Sequence, residues 1–285
     1  MDLVTVTCFE DFTQTLIQAE SIQKFVEPCT HWIVVNEIRP ELKYWKSSLA
    51  PYYTNHKLKL VSFSTHKYFS EYMRTGGYYS QQVFKLLVSK FIKSKYLVID
   101  AKHIFKTPLN LNDYEDQHGN GTILDYSKVD APNLNSLTIE TYANKLGVSF
   151  STRQLNCLCP FVIDAELLKQ VDDLDDLLLW FSNIANNLVP GNVSNQIHVN
   201  EYLLYSTIFQ KYRSLEEQSL NKRIKSIHIW ENELFSTIDS QQFDEFPLIG
   251  FHRRWVNTCP DNELKLANDW LNRFNFKNKL TRTKK

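Results

Sequence analysis

The sequence predicts one α/β domain whose sheet is mixed, mostly parallel and flanked by helices, and three observations lead to this fold class. Short runs that are nearly all apolar, typical of strands buried on both faces, recur through the first hundred residues. Segments with apolar residues at helical spacing separate these runs. No stretch is rich enough in proline, glycine or serine to be a flexible linker. Together these features favour a doubly wound sheet within a single domain.

The first half of the chain alternates between predicted strands and predicted helices. The helices repeat apolar side chains every three or four positions, whereas the strands are almost continuously apolar. In order, these elements are a strand at residues 3–9, a helix at 11–25, strands at 31–35 and 58–63, a helix at 79–93 and a strand at 96–99.

The second half is predicted to be less regular. Residues 110–135 are rich in Asn, Asp, Gly and Pro, a composition that predicts a long polar loop. The elements expected after it are a brief strand at 161–163, helices that begin at Asp164 and Asp173, a helix at 200–212, a strand at 224–230 and a terminal helix from Asp261.

We therefore predict a single domain over residues 1–276. Residues 277–285 form the one basic cluster of the chain, and a frayed, disordered tail is the simpler interpretation of it.

Composition excludes several classes of function. Lys plus Arg and Asp plus Glu both number 32, so no overall field attracts nucleic acid or an anionic membrane surface. The five scattered cysteines do not make a disulfide framework. No export signal and no membrane-spanning run are visible, so we expect a cytoplasmic protein. The sequence gives no indication of the oligomeric state.

Polar residues follow the strand at 96–99 directly. In open α/β sheets the ligand crevice lies beyond the carboxyl ends of the strands, where Asp100, Lys102 and His103 would meet a ligand. On the preceding helix, three further polar side chains fall within one turn and are expected to reach the same crevice: Gln81, Gln82 and Lys85. The alternative is structural, with Asp100 capping a turn and Lys85 a solvated helix charge.

Four segments resemble a known family. Residues 77–105 contain Gln-Gln-x-x-Lys (81–85) and Tyr-Leu-Val-Ile-Asp (96–100), and further matches lie at residues 158–164, 200–205 and 250–255. In this order they resemble the DUF6492 proteins, a bacterial and phage group similar to GT-A glycosyltransferases. The resemblance implies a GT-A-like, Rossmann-like fold, a nucleotide-sugar donor, a glycan or other hydroxyl acceptor, and a bacterial or phage-infected cell.

The chain departs from the GT-A pattern at one position. That pattern is Asp-x-Asp, whose carboxylates hold a divalent metal, Mn or Mg, against the leaving diphosphate, but here the motif is Asp100-Ala101-Lys102. Lys102 would supply the positive charge itself in a metal-independent enzyme, or the site would have lost catalysis and kept binding. A third possibility is that Asp100 still binds metal together with His252. Of these, metal binding is the less favoured.

Further roles follow from the resemblance and from side-chain chemistry. His252, Arg253 and Arg254 are candidates for gripping donor phosphates, with a surface charge cluster as the alternative. Glu201 would lie near the acceptor and deprotonate or orient its hydroxyl, unless it is only a charge in the first turn of a helix.

The nucleotide base and ribose are expected at the ends of the first two strands. Phe9 lies in the first strand-to-helix loop, and Asn36 and Glu37 follow the second strand. Asp11, beside Phe9, is expected to cap the first helix.

Two functions remain open on the sequence. The leading hypothesis is a glycosyltransferase that moves a sugar from a nucleotide-diphosphate donor to a hydroxyl. The rival is a catalytically inactive module of the same fold that binds nucleotide, glycan or a protein partner.

Overall fold

A computed structural model describes residues 1–37, 40–63, 78–128, 136–186, 199–215, 226–238 and 246–283. Gly77, which opens the first motif of the family resemblance, lies outside the described residues. Within the described part of the chain, no helix is both long enough and apolar enough to cross a membrane.

A five-stranded sheet forms the centre of the molecule, in the order β3-β2-β1-β4-β8. Its strands are β1 (Asp2–Thr7), β2 (Thr30–Val35), β3 (Lys57–Val61), β4 (Lys95–Asp100) and β8 (Phe161–Asp164). The first four are parallel and β8 runs antiparallel at the edge beside β4. This confirms the predicted α/β class with a mixed, mostly parallel sheet.

Two smaller sheets complete the strand inventory of the described residues. Strands β5 (His103–Phe105), β9 (Ser226–Ile229) and β10 (Leu248–Phe251) form a three-stranded sheet in the order β5-β10-β9. Strands β6 (Ile123–Asp125) and β7 (Arg153–Leu155) pair antiparallel. The segment predicted as one long polar loop thus contains β6. The sequence did not predict this short strand, because the residues around it are polar.

Helices cover the sheets. They are α1 (Phe12–Phe25), α2 (Leu42–Leu49), α3 (Tyr78–Leu87), α4 (Ser136–Leu146), α5 (Ala165–Lys169), α6 (Leu174–Asn186), α7 (Glu201–Tyr212), α8 (Arg253–Thr258) and α9 (Asp261–Asn272). The sequence did not predict α2, α4 or α8. Helix α2 buries only Trp45 and Leu49 completely, so its apolar stripe is too narrow to stand out from the polar residues around it.

Helices α3 and α7 pack onto the sheet and position the polar residues of the candidate site. Both contribute to the largest apolar cluster, which includes Val83 and Phe84 of α3, Leu203 and Leu204 of α7, and Val98 of β4. Because these side chains are fully buried, the polar residues that share the two helices are brought against the carboxyl end of β4.

The carboxyl terminus is not the free tail expected from the sequence. Leu280 is buried in the apolar cluster that contains Trp255 and Leu271. The backbone N–H groups of Lys277 and Asn278 donate to the Glu20 carboxylate. The prediction of a disordered tail is therefore wrong for residues 277–283, because one buried leucine and a buried acceptor anchor the segment. Residues 284 and 285 lie outside the described part.

Candidate functional site at the carboxyl end of the sheet

The site begins where β4 ends. Between β1 and β4 the strand order changes direction, and in α/β sheets the ligand crevice opens at such a switch point. A turn after Asp100 leads directly into β5, and the amide of Gln18 on α1 donates to both ends of that turn: to the Asp100 carbonyl at 2.7 Å and the His103 carbonyl at 3.1 Å. Gln18 therefore fixes the direction in which Asp100 leaves the sheet.

Four charged side chains lie together at this point, two of them buried and two partly buried. The Lys85 ammonium lies 3.2 Å from Asp100 Oδ1 and 2.8 Å from Glu201 Oε1. The Lys102 ammonium lies 3.2 Å from Asp100 Oδ2. Helices α3 and α7, strand β4 and the turn that follows β4 thus place two ammonium groups and two carboxylates in one cluster. The structural alternative for Lys85 is wrong, because its side chain is buried and not a solvated helix charge. Glu201 does lie in the first turn of α7, as its alternative stated, but its side chain is buried and paired with Lys85.

In this charge cluster, burial and ion pairing shift the pKa of each group in opposite directions. Burial would raise the pKa of Asp100, but Lys85 and Lys102 outweigh burial and hold that pKa well below its usual range. Burial would lower the pKa of Lys85, but the Asp100 and Glu201 carboxylates raise it well above normal. Burial raises the pKa of Glu201, and Lys85 opposes that effect in part. Glu201 is thus the carboxylate of the cluster that accepts a proton more readily than usual.

Residues of α3 and α7 hold Glu201 in place. The side-chain amide of Gln82 lies against the Glu201 carboxylate, and in the orientation that satisfies both groups its nitrogen donates 3.0 Å to Oε1. The Lys85 ammonium also donates to the Tyr202 hydroxyl at 3.2 Å. Gln81, on the same helix, is half-buried.

A second group of side chains flanks Lys102. The Lys102 ammonium lies 4.9 Å from the centre of the Trp230 ring, whose side chain is 50% exposed at the end of β9. The His252 ring centre lies 4.9 Å from the same indole, at an interplanar angle of 30°. Lys102 and His252 therefore share one aromatic neighbour, although they are far apart in the sequence.

The imidazoles of His103 and His228, both neutral, lie near Lys102. The backbone N–H of Asp100 donates to His103 Nδ1 at 3.0 Å, so the neutral ring carries its proton on Nε2. That nitrogen lies 3.0 Å from His228 Nε2. Burial, reinforced by the positive charge of Lys102, lowers the pKa of His228 to about 4. Burial and the same lysine lower the pKa of His252 to about 4 as well.

The arginines after β10 are paired with acidic residues. Arg253 Nη1 lies 2.5 Å from a Glu10 oxygen and 3.4 Å from Asp11 Oδ1. Arg254 lies 3.8 Å from Glu231. The Asp11 side chain makes no capping hydrogen bond to α1, so its predicted role as a helix cap is wrong. Its carboxylate instead faces Arg253 and the Cys8 thiol.

The ends of β1 and β2 present an exposed aromatic surface beside polar groups. The Phe9 side chain is 60% exposed, and its ring stacks 5.8 Å from that of Phe12. Asn36 is buried and its Oδ1 accepts from the Ser80 hydroxyl at 2.9 Å. The Glu37 carboxylate accepts a hydrogen bond from the Phe9 backbone, which joins the two strand ends.

The residues at Asp100 do not fit a divalent metal in this arrangement. A hard cation needs free carboxylate oxygens, and both oxygens of Asp100 are in ion pairs. Asp100, His103 and Cys159 do place three potential ligand atoms within 4.8 Å of one another. However, His103 Nδ1 already accepts the Asp100 N–H, and burial raises the pKa of the Cys159 thiol to about 12, so it is protonated at neutral pH.

Sequence reasoning missed three residues of this site: Gln18, His228 and Trp230. His228 and Trp230 are two positions apart at the end of β9, where alternation along a strand puts both on one face, and that spacing is visible in the sequence. Nothing in the sequence distinguishes Gln18, since a glutamine on an amphipathic helix is ordinarily exposed.

No family model matches the chain, and no curated protein matches it in sequence. Membership in DUF6492 thus stays a prediction. Solved structures that are similar to the chain include glycosyltransferases. Mouse xyloside xylosyltransferase 1 in its apo form is 12% identical, with 88% of this chain and 97% of that chain covered and a TM-score of 0.44.

Two further structures show the same degree of similarity. The galactosyltransferase LgtC in complex with donor and acceptor sugar analogues is 8% identical, with 96% of this chain and 94% of that chain covered and a TM-score of 0.45. Core-mannan synthase A from Aspergillus fumigatus, in its Mn/GDP form, is 9% identical, with 73% and 69% covered and a TM-score of 0.47. All three TM-scores are below 0.5, so the function proposed below depends on the geometry of the site.

Proposed function

We propose that the protein is a glycosyltransferase that moves a sugar from a nucleotide-diphosphate donor to a hydroxyl acceptor. The observation that carries this proposal is the charge cluster at the switch point of the sheet, in which Lys85 and Glu201 are buried and Asp100 and Lys102 are partly buried. Burying charged groups such as Lys85 and Glu201 costs free energy, and such arrangements with shifted pKa values concentrate at functional sites.

The donor nucleotide would lie across the ends of β1, β2 and β4. Neighbouring strands are about 4.8 Å apart, so the ends of β2 and β4 are separated by roughly 10 Å. Phe9 and Glu37 at one end offer an aromatic ring and an acceptor for the base. Lys102 at the other end offers a positive charge for the diphosphate. The exposed Phe9 ring supports this orientation, since stacking on a nucleotide base needs an accessible face.

Lys102 would replace the metal of the Asp-x-Asp pattern. As the sugar leaves, negative charge accumulates on the diphosphate, and a fixed ammonium in a site sheltered from water stabilises it. Asp100 would then keep Lys102 in position instead of ligating a cation, which the 3.2 Å ion pair supports. We therefore propose metal-independent transfer. His252, beside the same indole as Lys102, is a further candidate donor to a phosphate oxygen.

Glu201 would act on the acceptor. A carboxylate whose pKa is raised by burial is a better base than a solvated one, and a general base in hydrogen-bond reach of the attacking hydroxyl removes its proton. Lys85, which is 2.8 Å away, would keep Glu201 ionised before the reaction.

The phosphate role of the arginines has weaker support. Arg253 is occupied by Glu10 and Asp11, so a donor phosphate would have to compete with two carboxylates for it. Arg254 is mostly exposed.

A non-catalytic module that binds nucleotide, glycan or a protein partner is the second candidate. The observation that favours it is the mutual pairing of the charges: Asp100 and Glu201 both face Lys85, and a charge cluster that neutralises itself also serves as a structural tie between α3, β4 and α7.

The proposal is tested by incubating the protein with a panel of nucleotide sugars and a mixture of hydroxyl acceptors, with and without manganese. Release of nucleoside diphosphate that is unchanged by a chelator is the expected result. Thermal stabilisation by a nucleotide without any turnover would instead support the binding module, since a ligand that prefers the folded state raises its stability.

A further inference from the structure

A concave site lies between α2 and β3, two elements that contribute nothing to the charge cluster at Asp100. Among the residues that the structure describes, helix α2 leaves part of the β3 edge of the sheet uncovered, and the gap forms an open cavity of about 470 Å³. Its floor is apolar and includes Leu42, Leu58 and Leu60, which are all partly exposed. This volume lies within the range of small-molecule sites, about 300–1,000 Å³.

The rim of this α2–β3 cavity is cationic. Lys43 and Lys46 of α2 and Lys59 of β3 line it, and none of its lining residues is acidic. The chain as a whole has equal numbers of basic and acidic residues, so this positive rim is a local feature. An apolar floor under a positive rim is complementary to an amphiphile that carries an anionic head group.

Tyr53 connects this cavity to the candidate active site. Its ring lines the cavity, while its hydroxyl points inward and lies 2.6 Å from His31 Nδ1. His31 Nε2 lies 2.9 Å from the Thr5 hydroxyl, which donates to Gln18 Oε1 at 2.9 Å. The amide of Gln18 in turn donates to the carbonyl of Asp100.

In this series of hydrogen bonds from Tyr53 to Asp100, each group donates to the next one toward Asp100. The single proton of the Thr5 hydroxyl goes to Gln18, so His31 must donate from Nε2, and its Nδ1 is left to accept from Tyr53. Burial lowers the pKa of His31 to about 3, so the ring is neutral and keeps this arrangement. Hydrogen bonds aligned head to tail polarise one another. A change in the hydrogen bond of the Tyr53 hydroxyl therefore alters the strength of the hydrogen bond that Gln18 donates to the Asp100 carbonyl.

We infer that the α2–β3 cavity is a second ligand site, which takes a small amphiphile with a carboxylate or phosphate head group, and that its occupancy acts on the Asp100–His103 turn through Tyr53, His31, Thr5 and Gln18. The apolar tail packs on the leucine floor and the Tyr53 ring, and the head group is held by the lysines. Tyr53 and His31 are positioning residues in this scheme.

Binding is tested by calorimetric titration of the whole protein with decanoate below its micelle concentration. Decyl phosphate should also bind, whereas decanol and inorganic phosphate, which each lack one half of the chemistry, should not. The Lys46→Glu, Lys59→Glu double variant should bind decanoate roughly tenfold or more weakly, because two attractions become repulsions. Lys57→Glu, on the same strand but outside the cavity, is the matched control and should bind normally. Equal decanoate affinity in all three proteins overturns the site.

Sedimentation with phosphatidylglycerol vesicles distinguishes the source of the head group. If the wild-type protein sediments with the vesicles and the double variant does not, the head group belongs to a membrane lipid. If neither sediments while decanoate binds, the ligand is a free amphiphile.

The connection is tested by hydrogen exchange at the backbone amides of residues 100–103. Decanoate should change their exchange rates in the wild-type protein by about threefold or more. Tyr53→Phe keeps the ring and the cavity but removes the first donor, so decanoate should still bind and the change in exchange should be lost. Binding without any change at residues 100–103 in the wild-type protein would overturn the connection, and an unaltered response in Tyr53→Phe would overturn the role of the hydroxyl.

Discussion

Lys85 Nζ lies 2.8 Å from Glu201 Oε1, and both side chains are buried at the junction of α3 and α7. The same ammonium pairs with Asp100, so one cation neutralises two carboxylates from two other elements. Removing it would leave Glu201 buried without a cation and Asp100 with Lys102 as its remaining cation. The structural role of this site and its proposed catalytic role therefore both involve one lysine, and they can be separated by experiment.

Lys85→Met should destabilise the fold by about 3–5 kcal/mol, because it leaves the buried Glu201 carboxylate without its cation. Chemical denaturation gives this free energy. Lys90→Met is the matched control, since Lys90 lies on the following turn and its pair with Asp175 is largely exposed; it should cost at most about 1 kcal/mol. Equal losses in the two variants would show that Lys85 is not the neutralising centre of the cluster.

Glu201→Gln should lower turnover by roughly 100-fold or more, because an amide cannot take the acceptor proton. Binding of nucleoside diphosphate should be nearly unchanged, since Glu201 is assigned to the acceptor. Initial rates and a binding titration on the same preparation measure the two effects. Glu166→Gln, an exposed carboxylate on α5, serves as the control. Loss of nucleotide affinity with retained turnover would reverse the assignment.

Lys102→Ala should weaken binding of nucleoside diphosphate by about tenfold, because a charged partner of the phosphates is removed. Lys102→Asp restores the second carboxylate of Asp-x-Asp, so binding in that variant should require manganese. Titrations with and without manganese make the comparison. If manganese tightens binding to the wild-type protein as much as to Lys102→Asp, the lysine does not replace a metal.

Acid should destabilise the protein partly through His228. The pKa of an unfolded histidine is about 6.5, and in the folded state that of His228 is lowered to about 4. Between these values the unfolded chain takes up a proton that the folded chain refuses, so the free energy of unfolding falls as the pH decreases from about 6.5 to about 4. This contribution is at most about 3 kcal/mol.

His228→Gln can still accept from His103 but does not titrate. The free energy of unfolding of this variant, measured at a series of pH values, should fall less steeply across that window than that of the wild-type protein. Superimposable pH profiles would mean that His228 titrates alike in the folded and unfolded states.

The sequence by itself determined the central sheet and the residues at the end of β4. Continuous apolar runs have one stable location, the middle of a sheet covered on both faces, and a polar residue that ends such a run must lie at the sheet's edge. Asp100, Lys102 and His103 could be placed in this way, and so could Lys85 and Glu201 on their helices. What these side chains contact could not be predicted.

Only the tertiary structure decided which groups these side chains contact. Lys85 and Glu201 meet because α3 and α7 pack against each other, and the pattern of apolar residues states which face of a helix is buried but not what it is buried against. The same holds for Gln18, whose two acceptors lie on β4 and β5, and for Trp230, which contacts Lys102 from a separate sheet. Hydrophobic periodicity is a local property of the chain, whereas ion pairs and hydrogen bonds between distant segments depend on how the elements pack.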